Sequence, residues 1–315
     1  MQIKTLQYYK SLLDPHDQKI YDTLFQHWMH FDRQFLIRTP HRPLADLINA
    51  VHMDNPILFY INFHEVVYST SILGITVHGG YLYPKEEAVL LLEKCRSWGE
   101  GIKGKLPRIG VVEQALWFHD LLIDNVHYGN SSAANAHNLI GVIKDGVAVC
   151  EGIAMAYKYL CDLADIPCII VSGMLNQTPH AWNMLWICNG SSFVDVTNDM
   201  QNSSDYLRTH FLRRSSEMTG YTWDQTQIPH CNVYNADHPH IHVSTREEFL
   251  RAVSSHISRA SFAVHLDFHH PLTEHQMQGL ISECSLRFPR LCLRNVMFSL
   301  DSQTIYVYKS QGDVR

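Results

Sequence analysis

Three side chains near the middle of the 315-residue sequence, Cys150, His180 and Asp195, are the types that thiol-based acyl chemistry uses. Cys150 lies in Gly146-Val147-Ala148-Val149-Cys150-Glu151-Gly152-Ile153-Ala154. That segment leads into a helix with Ile153, Tyr157, Leu160 and Ala164 on one face. Unpaired N–H groups and the helix dipole at such a start favour a thiolate. Gly152 and Ala154 are small enough to let a substrate backbone approach. The eight cysteines (Cys95, Cys150, Cys161, Cys168, Cys188, Cys231, Cys284 and Cys292) include no C-x-x-C pair. With no export signal either, they read as reduced and mostly buried thiols, with Cys150 the exception by position. In such a system the imidazole takes the thiol proton and later gives it to the leaving group, while the carboxylate orients the ring.

The elements that must position these groups follow in order. The helix from Cys150 ends near Asp165, Pro167 marks a break, and Cys168-Ile169-Ile170-Val171 is a buried strand. A loop with Gly173, Asn176 and Pro179 leads to a strand from His180 to Trp186. Asn189-Gly190 is a strong hairpin signal before Phe193-Val194-Asp195-Val196-Thr197. A two-residue turn there sets Cys188 opposite Ser191 and Asp195 opposite Met184. Position 184 shares a face with 180, but about 13 Å of strand separates them. Twist, a bulge or a longer loop has to close that gap.

Gly146 to Gly152, His180-Ala181-Trp182-Asn183 and Val194-Asp195-Val196-Thr197 resemble the three motif blocks of the transglutaminase-like superfamily, in the same order. His119-Asp120, Tyr128 and His137-Asn138-Leu139-Ile140-Gly141 add to the resemblance, which spans roughly residues 110 to 235. It is nearer to bacterial and archaeal transglutaminase-domain proteins than to the large animal cross-linking enzymes, whose calcium-binding and β-sandwich domains are not visible. The resemblance implies an α+β fold with a papain/transglutaminase-like core, in which the cysteine helix packs on an antiparallel sheet. It implies Cys150 as nucleophile, His180 as general base and then acid, and Asp195 as its orienter. The Cys150 N–H is the natural first oxyanion donor, with His137 or Tyr128 as candidates for the second. Trp182 is expected to pack beside the three and shield the histidine–aspartate bond.

Around this core, residues 1–104 read as a mainly helical N-terminal region, 105–238 as the catalytic core and 239–315 as a small α+β module. Asp14-Pro15-His16-Asp17 opens a helix whose apolar face is Ile20, Leu24, Trp28, Phe31 and Phe35. Val66 to Val77 reads as one or two strands, and helices are expected from Pro84 towards Trp98 and from Glu113 to Val126. Beyond a boundary near Pro239 to Ser244 the order is helix (Thr245–Ile257), strand (Phe262–Phe268), helix (Thr273–Phe288) and two strands (Leu293–Leu300, Thr304–Tyr308).

Composition narrows the function classes. The chain is 46% hydrophobic and 18% charged, which excludes a disordered chain. A formal net charge of −6 lacks the basic footprint of a nucleic-acid binder. No apolar run is long enough for a membrane helix, and the first residues have no signal-peptide core, so a cytoplasmic location is expected.

His230, Cys231, His238, His240 and His242 crowd one stretch, and His269-His270 follow, but the spacing matches no common zinc module. No metal site is expected, and the thiol chemistry requires no cofactor. The expected partner is a protein or peptide substrate carrying a glutamine or peptide amide, with an amine or water as acyl acceptor. The competing readings are a non-catalytic peptide-binding scaffold on the same core and a metal-dependent hydrolase built on the histidine-rich stretch.

Overall fold

A computed structural model describes residues 6–106, 111–129, 135–187, 190–201, 210–231, 240–257, 261–300 and 303–308. The chain divides into two compact units, Met1–Val233 and Tyr234–Arg315. Both mix helix and antiparallel sheet, an α+β fold.

The first unit opens with α1 (Tyr8–Ser11), α2 (Pro15–Met29), β1 (Gln34–Ile37) and α3 (Leu44–Asp54). Asp14 caps α2 by accepting from the N–H groups of His16 and Asp17, with Pro15 in the first turn. Ile20, Leu24 and Trp28 are buried on this helix, but Phe31 and Phe35 do not continue it. The Phe31 N–H donates to Trp28 O and the Asp32 N–H to His27 O, with Phe31 at φ 61°. That is a Schellman end to the helix, and Phe35 lies on β1. Apolar spacing alone cannot see such a stop, because both aromatic rings still turn inward: Phe31 stacks on Tyr60 and Phe35 meets Trp28 edge-on.

The hairpin β2 (Val67–Ser71) and β3 (Gly74–His78) forms a small sheet of order β1-β3-β2. Then come α4 (Lys85–Lys105), α5 (Val111–Asn125) and the short parallel pair β4 (His127–Tyr128) and β5 (Val147–Ala148). The central helix α6 (Cys150–Leu163) is followed by β6 (Cys168–Leu175), β7 (Thr178–Ile187), β8 (Gly190–Val194), α7 (Val196–Gln201), β9 (Phe211–Arg213) and β10 (Tyr221–Trp223). The strands form one antiparallel sheet of order β10-β6-β7-β8-β9.

Helix α6 is buried from Gly152 to Leu163, not along one apolar face. A helix enclosed on all sides must pair its charges internally. Lys158 does so, donating to both Asp162 oxygens at 3.2 and 3.1 Å and to Cys168 O at 3.1 Å. Its core is continuous with that of the first hundred residues, running from Tyr9 through Trp28 and Tyr60 to Tyr157, Trp182 and Phe193. Asp54 at the end of α3 accepts from the N–H groups of Tyr9 and Lys10, and the Tyr9 hydroxyl donates to Ile170 O on β6. These bonds fasten α1 to α3 and to the sheet.

Two details of the sheet differ from expectation. Gly173 and Pro179 belong to strands, and the loop between β6 and β7 is the two-residue turn Asn176-Gln177, both residues at positive φ as a type I′ hairpin requires. Across the next hairpin Trp186 faces Ser191 and Ile187 faces Gly190, so the register lies two residues from the one read off Asn189-Gly190. A two-residue slip keeps every side chain on its face, so burial does not distinguish the two registers. Cys188 and Asn189 themselves lie outside the described residues.

The second unit contains β11 (His240–Val243), α8 (Arg246–His256), β12 (Ser261–Leu266), α9 (Glu274–Arg287), β13 (Asn295–Ser299) and β14 (Thr304–Tyr308). Its sheet has the order β11-β12-β14-β13, with β11 parallel to β12. Strand β11 falls where the sequence suggests a boundary and instead opens the sheet. Thr245 and Thr273 cap the two helices, the latter in a capping box with Gln276. Phe249, Val253, Met277, Phe262, Val264 and Val307 are among the residues of its separate core.

Candidate active site

Cys150 is the first residue of α6, partly exposed, after Val149 in extended conformation with no side-chain cap. The first-turn N–H groups therefore have no capping side chain competing for them. Gly152 is required here, though not for a substrate. A Cβ on it would meet Ala136 O at 2.6 Å and Asn138 O at 3.0 Å. The chain's own loop takes that space, and Val149 N–H donates to Ala136 O at 3.0 Å. Gly152 thus lets residues 136–138 brace the turn that presents Cys150.

His180 enters from β7, the central strand of the sheet against which α6 packs. Its Nε2 lies 2.7 Å from Asp195 Oδ2, and Cys150 is the second group whose side chain acts on the ring. With Nε2 committed to the carboxylate, Nδ1 is the atom left for the thiol. Burial alone would push the His180 imidazole down. Hydrogen bonds and charge from Asp195 and Cys150 outweigh that and hold it up at about 9.

Asp195 follows directly on β8 and is fully buried. The observed register carries it two residues closer to His180 than the hairpin signal suggests, and the β8–β9 pairing is irregular between Phe193 and Val194. Its Oδ1 accepts from Asn198 N–H at 3.0 Å, the bond of a helix N-cap, here opening α7. Its Oδ2 accepts from His180 and, at 2.6 Å, from the Tyr221 hydroxyl. Burial and then the Asp195 charge push the Tyr221 phenol far above its usual value, so it serves as a donor.

Trp182 is buried, with its ring 5.9 Å from that of His180 and nearly parallel to it, and 5.1 Å from that of Tyr221. It packs against the histidine as shielding requires and offers no face to a substrate. His137 Nδ1 lies 3.0 Å from Glu151 Oε2, next to Cys150 in the chain, and His52 from α3 approaches the other Glu151 oxygen at 3.7 Å. Tyr128 is part-exposed on β4 and pairs with Ala148 in the strand before Cys150. The structure thus joins Cys150, His180 and Asp195, sets Trp182 against them, and brings His137 and Tyr128 to the flanks of the cysteine turn.

Sequence reasoning misses Tyr221, Asn198 and His210. An Asp followed three residues later by an amide-bearing residue at a helix start is a readable capping signal for Asn198. Tyr221 and His210 carry no such local mark.

The histidine-rich stretch is divided between the two units. Cys231 is buried in the first unit, His238 lies outside the described residues, and His242 belongs to the second unit. On that sheet His242 and His265 are cross-strand partners; His242 Nδ1 is hydrogen-bonded to Asp267 Oδ2 at 2.9 Å, and His265 Nε2 lies 3.0 Å from Asp267 Oδ1. His265 Nδ1 is bound in turn to Thr304 Oγ1. Hydrogen bonding within the cluster accounts for its arrangement. Among the described residues no helix is long and apolar enough to cross a membrane.

Residues 96–197 match the family model of the transglutaminase-like superfamily. No curated protein matches the chain. Among solved structures it is similar to a TGase at 12% identity and a TM-score of 0.34, over 67% of this chain. This chain spans 58% of the length of that one. A proposed cysteine protease from Cytophaga hutchinsonii is similar at 13% identity and a TM-score of 0.31, over 54% of this chain and 71% of that one. A proposed protease from Parabacteroides distasonis is similar at 10% identity and 0.29, over 76% of this chain and 55% of that one. The segment matched by that family model, residues 96–197, is the one that builds the cysteine helix, the histidine strand and the aspartate.

Proposed function

We propose that the protein is a cysteine-dependent acyl-transfer enzyme that attacks the amide carbonyl of a glutamine side chain or a peptide bond. The observation that carries this reading is the 2.7 Å His180–Asp195 hydrogen bond, with Cys150 at the start of α6 acting on the same imidazole. The Cys150 thiolate adds to the carbonyl carbon, and the developing oxyanion is met by the Cys150 N–H. His180, protonated, gives its proton to the departing nitrogen as the C–N bond breaks and the thioester forms. An amine or water then attacks the thioester, loses its proton to His180, and releases Cys150 as the C–S bond breaks. His137 and Tyr128, on the flanks of the turn, are the candidates for a second oxyanion donor.

The test is incubation with glutamine-containing peptides, with and without a primary amine, followed by ammonia release and product mass. Ammonia release with a mass gain equal to the amine less the ammonia lost supports transglutamination, and a gain of one mass unit supports deamidation. Amide turnover unaffected by Cys150→Ala contradicts the proposal.

A further inference from the structure

The Asp195 carboxylate is one end of a longer chain of side chains. The Tyr221 hydroxyl, which donates to Asp195 Oδ2, accepts from Asn198 Nδ2 at 2.7 Å. The same amide nitrogen lies 3.2 Å from His210 Nε2, so its two hydrogens serve Tyr221 and His210. His210 Nε2 then accepts, and Nδ1 carries the proton that it donates to Asp199 Oδ1 at 3.0 Å. Asp199 Oδ2 lies 3.0 Å from His119 Nε2, and His119 Nδ1 lies 3.0 Å from Asp120 Oδ1. Both nitrogens of His119 therefore donate to carboxylates, which is the imidazolium form. This ring is wholly buried, and the two aspartates outweigh the effect of burial and hold it up at about 9. Asp199, which burial alone would raise, is held well below the usual carboxylate range by His119 and His210.

His210 grips the backbone as well. Its carbonyl accepts the Asp195 N–H at 2.9 Å, and its own N–H donates to both Asp199 oxygens, at 3.0 and 3.1 Å. One residue thus holds Asp195 on one side and the first turn of α7 on the other, while His119 fixes α7 to α5 through Asp199. Asp195 is at the entrance of α7, so its carboxylate is aimed by whatever fixes that turn.

We propose that His210 and Tyr221, anchored by the buried His119–Asp199 pair, are positioning residues that aim the Asp195 carboxylate at His180. The inference rests on the proposed roles of Cys150, His180 and Asp195, and it adds a second histidine–aspartate unit behind them. Neither residue touches the reacting atoms. Their work is to keep a buried carboxylate hydrogen-bonded and unable to turn away.

The test uses the full chain and two variants, Tyr221→Phe, which removes one hydroxyl, and His210→Ala. His180 is titrated by NMR of histidine-labelled protein, and alkylation of Cys150 by iodoacetamide is followed across pH. The expected result is that both variants stay folded by circular dichroism while the His180 midpoint falls by about one unit or more, a change of about tenfold in the proton equilibrium. Cys150 alkylation at pH 6 slows with it. His210→Asn, whose amide can still donate to Asp199, recovers part of the loss. An unchanged His180 midpoint in folded Tyr221→Phe overturns the inference. The midpoint is readable whether or not Cys150 is a nucleophile. A parent whose Cys150 alkylates no faster than a free thiol overturns the proposed function instead, and the two failures are separate.

Discussion

Asp195 Oδ2 accepts two hydrogen bonds at once, from His180 Nε2 at 2.7 Å and from the Tyr221 hydroxyl at 2.6 Å. Shared acceptance holds that oxygen between the imidazole and the phenol and leaves Oδ1 to the Asn198 N–H. A buried carboxylate held by three hydrogen bonds is costly to turn, because each bond broken would leave a polar group unpaired away from water.

The groups in the chain from Cys150 to Asp195 contribute unequally. Cys150→Ala removes the proposed nucleophile, and amide turnover is expected to vanish. His180→Ala removes the proposed proton carrier, and a loss of about 10²- to 10⁴-fold in kcat is expected. Asp195→Asn keeps the shape but removes the charge that raises His180, so the His180 midpoint drops from about 9 and the rate falls with it. Steady-state kinetics on a glutamine peptide, beside an NMR titration, separates the two effects.

Stability is expected to fall on the alkaline side. His119 and His180 are both raised from 6.5 to about 9 in the folded protein. The folded state then binds their protons more tightly than the unfolded chain does. The stability they contribute is complete below about pH 6.5 and is lost as pH rises through about 9. Urea unfolding at pH 6.5, 8 and 9.5 checks the direction, and Asp199→Asn, which removes one cause of the His119 shift, flattens the slope.

Gly152→Ala would drive a methyl group into the carbonyl oxygens of Ala136 and Asn138, which are backbone atoms with no rotamer to escape into. The expected cost is about 1–3 kcal/mol of stability. Because those residues brace the turn before Cys150, alkylation of Cys150 slows as well, and denaturant midpoints with iodoacetamide rates read both.

Lys158→Met leaves the Asp162 carboxylate buried beside an apolar chain. Burial already pushes Asp162 up to about 6 despite the ammonium beside it. Losing the partner of a buried pair typically costs about 3–5 kcal/mol. The double variant Lys158→Met with Asp162→Leu recovers much of that, and thermal unfolding of the three proteins measures it.

What the sequence makes legible follows from how local each signal is. The start of α6 at Cys150 is readable because a helix period and small residues meet within a few positions. The face shared by His180 and Asp195 is readable because strand parity survives a two-residue slip. The slip itself is hidden for the same reason, and with it how near Asp195 comes to His180. Phe31 shows the converse, since its apolar spacing continues a helix that the backbone has already ended at φ 61°. His119, Asp199 and His210 come from separate segments, and only tertiary packing brings them into one line. The role of Gly152 is legible as a close approach, but what approaches is the loop at Ala136 and not a substrate.

The most direct measurement is the pH dependence of iodoacetamide alkylation at each cysteine, mapped by peptide mass spectrometry in the parent and in His180→Ala. The account predicts that Cys150 alone reacts fast near pH 6 and that it slows without His180. Buried Cys95, Cys161 and Cys284, whose thiols burial pushes up, stay unreactive there. A Cys150 that reacts no faster than a free thiol, or just as fast without His180, contradicts the account.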